Sequence, residues 1–490
     1  MHDEVMSTPA VSRRALLKGA GGLSLGALAA GIPGALAARS SVRGFHPITG
    51  NEISDLGGPW TLKPLLSAAS HGSEVATDWL RMAIKLVRET PGFTPPVGSR
   101  ALAYMSVALY EAIAPGAPGY RSLAGQLNGL TRPPSVNEAV HHWPLVANST
   151  LASMARLLFP TASEENQAAI DDLEIAFSRA HARGLPRRVV SQSTTRGQAG
   201  AAHIFAWSQT DGGHEGYTRS FPQDYAAPAG PGLWIPTTPD NPIPLLPSWG
   251  SNRPFTVDSV AEYDPGPPPA FSTEPGSAFY REALEVHDVV EALTAEQLTI
   301  ATFWGDGART VGATGHVMMI LTQVLESRDI SLVSAAEAYA KTSIAVAESL
   351  ISCWDVKYRY NLIRPVSYIQ QHIDAGWGGA ERALPVGTPP YPEYTSGHSV
   401  QTTAFAQVMH DLFGDMPFTD HTHDDLGLEP RAFSSWSAMA AEAAISRLYA
   451  GIHFRSAIER GIEQGQRVGK RVSALGFHSI PPVPVGPGPY

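Results

Sequence analysis

Three short stretches between Lys357 and His453 carry residue types that could bind and process a phosphate-like oxyanion. The first contains Lys357 and Arg364, followed by Pro365. A separation of about seven residues is two turns of helix, so both cations are predicted to project from one helical face, with Pro365 ending the helix. Two like charges on one face repel each other unless an anion lies between them. A solvated basic face would show the same spacing.

The second stretch, Thr395-Ser396-Gly397-His398, directly precedes an apolar helical pattern that starts at Val400. Ser396 and Gly397 are therefore predicted at a helix N-terminus, where free backbone N–H groups and the helix dipole favour an anion. Glycine also allows the backbone to approach a ligand closely. His398 would lie beside that anion and could act as a general acid or base. A plain serine cap next to a bystander histidine is the alternative interpretation.

The third stretch contains Ser446-Arg447 and, further along, His453. Arg447 adds a planar guanidinium that can direct two hydrogen bonds onto an oxyanion. His453 supplies a neutral nitrogen that could bond the central atom, either as a nucleophile on phosphorus or as a ligand to a metal oxyanion. Taken together, the three stretches predict an oxyanion site flanked by two histidines with different roles.

In this order, the stretches resemble the signature of the superfamily of vanadium-dependent haloperoxidases and type 2 phosphatidic acid phosphatases. The resemblance implies three catalytic residues. His398 is then the acid–base residue, Lys357 polarises the bound peroxide, and His453 bonds the vanadium of a vanadate cofactor or attacks phosphorus. Thr395 stands where the superfamily usually has Pro, a departure that affects the helix cap and no contact group. The resemblance also implies five oxyanion-binding residues: Lys357, Arg364, Ser396, Gly397 and Arg447.

Three further residues are similar to positions in the haloperoxidases. Trp354 resembles a tryptophan of the fungal chloroperoxidases, and Tyr391 falls where the family has a halide-tuning side chain. Asp306 resembles an aspartate that pairs with the basic groups of the site, so it is expected to orient Arg447 or Lys357. The helical segment 100–112 and the loop 234–255 are similar to the bacterial branch, which implies two helical bundles with the site in one of them.

The resemblance therefore implies a vanadate-dependent enzyme that oxidises halide with hydrogen peroxide to hypohalous acid, which halogenates small organic acceptors. The chain is longer than the compact soluble acid phosphatases and has no bundle of membrane spans, which favours this activity. An acid phosphatase with His453 as nucleophile and a non-catalytic oxyanion-binding protein are the alternatives. The halide, the acceptor and the oligomeric state stay open, a homodimer being one option.

Two other histidine positions have residue types that could serve a metal or the active site. His421, His423 and the acidic residues after them have the composition of a divalent-metal site, but the turn-forming neighbours favour a solvated loop. His316 begins an apolar helical pattern. It either points into the mouth of the active site or is a structural histidine.

The elements that must position these residues are helical. Apolar residues recur at helical spacing over 75–206 and again from about 277, so the fold class is predicted to be all-α, with helical bundles. We predict one large helical catalytic domain over 75–480, preceded by an extension at 38–74 and followed by a Pro-rich tail at 481–490. A Pro- and Gly-rich excursion at 213–276 interrupts it, and its aromatic residues predict a loop pinned to the body: Trp234, Trp249 and Phe255.

Charge and cysteine content narrow the function classes. The 490-residue chain has a formal net charge of −10, which argues against a nucleic-acid partner. Its single cysteine, Cys353, excludes an internal disulfide and is predicted to be an inert core thiol. Residues 1–37, with Arg13-Arg14 before an apolar run, resemble a twin-arginine export signal, so a periplasmic or secreted enzyme is expected. We find no other segment apolar enough for stable membrane insertion.

Overall fold

The computed structural model describes residues 67–133, 140–237, 243–307, 310–379 and 387–479. Within these ranges lie thirteen α-helices and one short two-stranded antiparallel sheet. The all-α prediction is therefore confirmed. The predicted export signal at 1–37 and the tail at 481–490 lie outside the described residues, as does most of the predicted extension at 38–74.

The helices fall on either side of the predicted loop excursion. Those before it are α1 (Glu74–Glu89), α2 (Pro95–Ile113), α3 (Trp143–Leu158), α4 (Glu164–Ala182) and α5 (Arg187–Ser208). Those after it, with strands β1 (Phe418–Asp420) and β2 (Arg431–Phe433), are α6 (Ala278–Glu291), α7 (Ala295–Phe303), α8 (Gly312–Glu326), α9 (Leu332–Tyr360), α10 (Pro365–His372), α11 (Gly397–Phe413), α12 (Trp436–Tyr449) and α13 (Arg455–Ser473).

Several helices begin where a side-chain oxygen accepts a hydrogen bond from a free backbone N–H group. Ser331 caps α9 and Ser435 caps α12 in this way. Helix α7 begins with a capping box, because Thr294 accepts from the backbone of Gln297 while the Gln297 side chain accepts from the backbone of Thr294.

The helices pack as two bundles that share α9. Helices α2, α3 and α5 pack against one another, and α2 also packs along α9. Beyond α9, helices α11, α12 and α13 form the second group. The predicted core thiol Cys353 is buried in α9, and its neighbour Trp354 is buried with it. Helix α9 therefore contributes residues to both bundles. None of the helices in the described ranges has the length and apolar character that a bilayer crossing needs.

The described parts of the 213–276 excursion contain no α-helix, only short 3-10 turns such as Trp249–Ser251. The predicted aromatic anchors Trp234, Trp249 and Phe255 are all buried, so the segment is packed onto the helices as expected. Gly250 marks a close approach, because a Cβ there would come within 2.4 Å of the Asp355 backbone on α9.

The predicted helix across Lys357 and Arg364 is wrong in detail. Helix α9 ends at Tyr360, and Asn361 terminates it in the left-handed conformation, with φ of 48°. Arg364 is the N-cap residue of α10, and Pro365 occupies the first position of that helix. Proline suits a first turn because the N–H group it lacks has no helical acceptor there. Pro365 therefore starts a helix instead of ending one, and the two cations do not share a helical face.

Candidate active site

A cavity of about 520 Å³ opens where the start of α11 meets the loops before α8 and α13. Sequence stretches far apart in the chain contribute to its wall. Among the predicted site residues, those that line it are Asp306, Tyr391, Gly397, His398, Arg447 and His453. Lys357, Arg364, Ser396 and Trp354 lie behind this wall, where each contacts a lining residue or its neighbour.

His453 is held by a carboxylate that the sequence analysis missed. Its Nδ1 lies 2.8 Å from Oε1 of the fully buried Glu393, and the backbone N–H of Phe454 donates to the same oxygen over 2.8 Å. Because Oε1 already accepts from a backbone N–H group, it serves as an acceptor for His453 too, and the Nδ1 atom carries the hydrogen. Burial, and then the charges of Arg364 and Lys357, hold the pKa of His453 well below its usual value. The Nε2 atom therefore presents a lone pair.

Two buried guanidinium groups are only partly satisfied by the protein. Arg364 donates from Nε to the Tyr391 carbonyl and from Nη1 to the Ile452 carbonyl, both over 2.8 Å, and Nη1 lies 3.3 Å from Nε2 of His453. Arg447 donates from Nη1 to the Trp304 carbonyl. Among the described residues, Nη2 of Arg364 and Nε of Arg447 find no acceptor. A buried charged donor without an acceptor is costly, so both groups favour an anion in the cavity.

Lys357 differs from the other predicted anion-binding residues in that backbone carbonyls accept all of its hydrogen bonds. Its buried Nζ donates to three backbone carbonyls, over 3.0 Å to Pro392, 2.9 Å to Glu393 and at short distance to Thr395. These bonds use all three ammonium hydrogens. Burial is the main cause that lowers the pKa of Lys357 to about 8. In this structure Lys357 holds the loop that leads into α11 and adds positive charge behind the cavity.

Ser396 and Gly397 form the start of α11, as the sequence predicted. Ser396 is the N-cap residue, with its hydroxyl oxygen accepting from the Ser399 backbone over 3.4 Å. A Cβ built on Gly397 would have the Trp354 ring at 4.0 Å as its only neighbour within that distance. Protein packing therefore does not require a glycine at this position, whereas close approach of a ligand to the backbone would.

Asp306 pairs with histidines, which corrects the expectation that it orients Arg447 or Lys357. Its Oδ2 lies 3.1 Å from Nε2 of His398, and its Oδ1 lies 2.9 Å from Nδ1 of His316. In this contact His398 carries a hydrogen on Nε2 and donates it to the carboxylate, so Nδ1 is the nitrogen that can accept a proton. Burial, and then the charge of Arg447, lowers the pKa of His398 to about 4 against the attraction of Asp306.

His421 and His423 lie in one loop but differ in burial. His421 is exposed and pairs with Asp424, as expected of a solvated loop. His423 is buried, with its Nε2 3.6 Å from Oδ1 of Asp306, so the solvated interpretation is wrong for this residue. His316 is fully buried and does not line the cavity, so it is the structural histidine of the two alternatives. Three histidines thus surround one aspartate, a convergence that no local spacing in the sequence indicated.

Tyr391 lies at the rim, between the cations and the cavity. The Lys357 Nζ is 5.1 Å and the Arg364 Cζ is 4.9 Å from the centre of its ring. Trp354 supports the ring from behind at 5.1 Å and donates from Nε1 to the Leu245 carbonyl over 3.2 Å. Cation–π contacts of this kind fix the ring at the cavity wall.

Comparison with known proteins places this geometry in a family. The family model of the VCPO second helical-bundle domain matches residues 337–479, which contain all three predicted stretches. A crystal structure described as the first bacterial vanadium-dependent iodoperoxidase is 38% identical, with a TM-score of 0.73. The alignment covers 82% of this chain and 96% of that one. The chain belongs to the vanadium-dependent haloperoxidase family.

Two further structures share the fold of this chain at lower identity. The holo form of a bacterial vanadium-dependent chloroperoxidase is 17% identical, with a TM-score of 0.61, over 78% of this chain and 92% of that one. An apo form is 16% identical, with a TM-score of 0.59, over 79% and 96%. No curated protein sequence matches the chain.

The family's cofactor is vanadate, and the residues of this chain fit it. A neutral Nε2 at His453 suits a bond to the metal, since a ligating imidazole must be unprotonated. The unpartnered Nη2 of Arg364 and Nε of Arg447 would hold the oxygens. Gly397 at the helix start leaves backbone N–H groups and space for the same anion.

Proposed function

We propose that this protein oxidises halide, iodide included, with hydrogen peroxide and releases hypohalous acid. One halide ion, one hydrogen peroxide and one proton give one hypohalous acid and one water. The halide loses two electrons, which the peroxide oxygens take up as their bond breaks. The hypohalous acid then halogenates small organic acceptors outside the site. Iodide is the first halide to test because the 38% identical relative is described as an iodoperoxidase and iodide gives up electrons most easily.

One observation supports this proposal above the others. The lone pair on Nε2 of His453 lies 3.3 Å from Nη1 of Arg364, at the wall of a cavity that also contains His398. A histidine with an unprotonated nitrogen that adjoins guanidinium donors can bond the central atom of an oxyanion whose oxygens those donors hold. Bound vanadate supplies a Lewis-acid centre that activates hydrogen peroxide towards halide.

The chain's own residues supply the remaining steps. His398 can receive a proton at Nδ1 and return it, because Asp306 fixes the hydrogen on Nε2. Glu393 keeps Nε2 of His453 free by accepting the Nδ1 hydrogen. The guanidinium groups of Arg364 and Arg447 are already aligned by backbone carbonyls, so little reorganisation accompanies charge development in the reaction.

Export to the periplasm or the medium is a further proposal, and it rests on the sequence of residues 1–37 alone. Replacing Arg13 and Arg14 together by lysine should leave the protein in the cytoplasm. Export at the wild-type level would contradict the twin-arginine interpretation.

The function is tested with mature protein reconstituted with vanadate, using peroxide-dependent oxidation of iodide and bromide. Hydrolysis of an aryl phosphate by the same protein without vanadate is measured in parallel. We expect vanadate-dependent halide oxidation that inorganic phosphate inhibits and that His453→Ala abolishes. Hydrolysis without halide oxidation would assign a phosphatase with His453 as nucleophile, and vanadate binding without either activity would assign an oxyanion-binding protein.

A further inference from the structure

A second layer of charged groups lies behind the Asp306 and His398 pair. His316 lies between two carboxylates, with Nδ1 2.9 Å from Oδ1 of Asp306 and Nε2 2.7 Å from Oδ2 of Asp420. Both His316 and Asp420 are fully buried. The other oxygen of Asp420 accepts the Thr422 backbone N–H over 2.9 Å. A continuous chain of contacts therefore runs from strand β1 through His316 and Asp306 to His398.

The ion pairs of this chain of contacts are all formed between carboxylates and histidines. Among the described residues, neither Asp306 nor Asp420 forms an ion pair with a lysine or an arginine; histidines are their only ion-pair partners. Two buried carboxylates need a cation nearby, and His316 can provide it by donating from both ring nitrogens. Burial lowers the pKa of His316, but the two carboxylates outweigh burial and raise it to about 10.

The side chains that pack against His316 are mostly aromatic. Trp304 stacks on the imidazole with ring centres 4.5 Å apart, and Phe303 packs on it edge-on at 5.4 Å. His423 meets it edge-on at 4.5 Å and faces Asp306 with an Nε2 atom that has no hydrogen-bond partner among the described residues. Arg431 and Glu442 pair with each other over 2.7 Å beyond these aromatic rings. Arg447, which donates to the Trp304 carbonyl, adds a positive charge that acts on Asp306 and His398.

We infer that His316 and Asp420 are positioning residues for His398. His316 donates to both carboxylates at once, which fixes the plane of Asp306 and keeps its second oxygen aimed at Nε2 of His398. Asp420 holds His316 from the opposite side, so that Asp306 cannot rotate away. This inference rests on the proposed acid–base role of His398. It adds two residues outside the cavity that determine how well that role is performed.

The test uses His316→Gln and Asp420→Asn in the full-length protein, with His421→Asn as the matched control. Glutamine carries both donor hydrogens on one nitrogen and has no charge, so it cannot donate to two carboxylates from opposite sides as a cation. His421 directly follows Asp420 in the chain but is exposed. We expect His316→Gln and Asp420→Asn each to lose about tenfold or more in kcat for iodide oxidation, while the Kd for vanadate changes less than about threefold. In His316→Gln the pH at which His398 titrates in the rate profile should rise by about one unit, because a nearby cation is lost and Asp306 is freed.

Nitrogen-15 NMR of the histidine rings gives a readout that does not depend on activity. Wild-type His316 should show two protonated ring nitrogens at pH 7, and Asp420→Asn should weaken this state. A neutral His316, or unchanged kcat and pH profile in both variants, would overturn the inference.

One bound transition metal per chain that His423→Ala removes would overturn it as well, since Asp306, His316 and His423 offer ligand atoms within 4.8 Å of one another. If the wild type oxidises no halide while NMR shows the doubly protonated ring, the proposed function fails and the contact stands.

Discussion

His453 and Glu393 share a hydrogen bond of 2.8 Å that decides which nitrogen of the histidine is available at the cavity. The carboxyl lies five residues before His398 in the chain, yet it serves the other histidine of the site. Burial raises the pKa of Glu393 to about 8 despite the charges of Arg364 and Lys357. Because Oε1 also accepts from the Phe454 backbone, it remains an acceptor for His453 whether or not the group is ionised.

Replacing Glu393 by Ala should weaken vanadate binding by about 10- to 100-fold, since removing the partner of a ligating histidine frees its tautomer and its orientation. Glu393→Gln should lose less, because an amide oxygen can still accept the Nδ1 hydrogen. Calorimetric titration with vanadate measures both. Equal affinity in wild type and Glu393→Ala would show that the hydrogen bond does not control the ligand.

Gly397→Ala should weaken vanadate and phosphate binding by about tenfold, equal to about 1.4 kcal/mol. The added Cβ meets no protein atom closer than the Trp354 ring at 4.0 Å, so the thermal midpoint should not fall. Ser399→Ala, in the same turn of α11, removes a hydroxyl that has no partner among the described residues and should leave both quantities unchanged. A large fall in thermal stability for Gly397→Ala would mean that packing, and not the ligand, requires the glycine.

Lys357→Met should lower both stability and vanadate affinity, in contrast to Gly397→Ala. Three buried carbonyls lose their donor, at a cost of about 1–3 kcal/mol for each that stays unsatisfied, partly offset by no longer burying an ammonium group. Lys341→Met on the same helix is the control, since Glu337 at 3.6 Å is its only ion-pair partner in the described part of the chain, and Lys341 packs over Phe477. Denaturant unfolding and vanadate titration measure the two effects. Unchanged stability would show that the loop before α11 does not depend on Lys357.

The stability of the protein should depend on pH through His316. Its pKa is raised from 6.5 to about 10 on folding, so the folded state keeps a proton that the unfolded chain releases in this window. The resulting stabilisation is fully present below about pH 6.5 and is lost as pH rises towards 10. Urea unfolding of wild type and His316→Gln from pH 5 to pH 10 should show a steeper decline in the wild type. Parallel curves would contradict a charged His316 in the folded protein.

The fold class and the residue types of the candidate site could be predicted from the chain because they depend on local patterns. Apolar residues at helical spacing indicate helices wherever they occur, and the capping box at Thr294 marks a helix start from four residues alone. Ser396 and Gly397 stand at a helix N-terminus for the same local reason. The order of Lys357 and Arg364 along the chain matches the family. The prediction that they share a helical face is wrong, because Asn361 ends α9 before Arg364.

What the sequence determined by itself was the all-α fold class, the residue types of the three stretches and the family they indicate. Only the tertiary structure decided the partners of these residues: Glu393 for His453, three histidines for Asp306, and three carbonyls for Lys357. The reason is physical. A helix or a cap is specified by neighbours within a few residues, whereas a buried hydrogen bond joins groups tens to a hundred residues apart, and burial sets its strength and the charge of both partners.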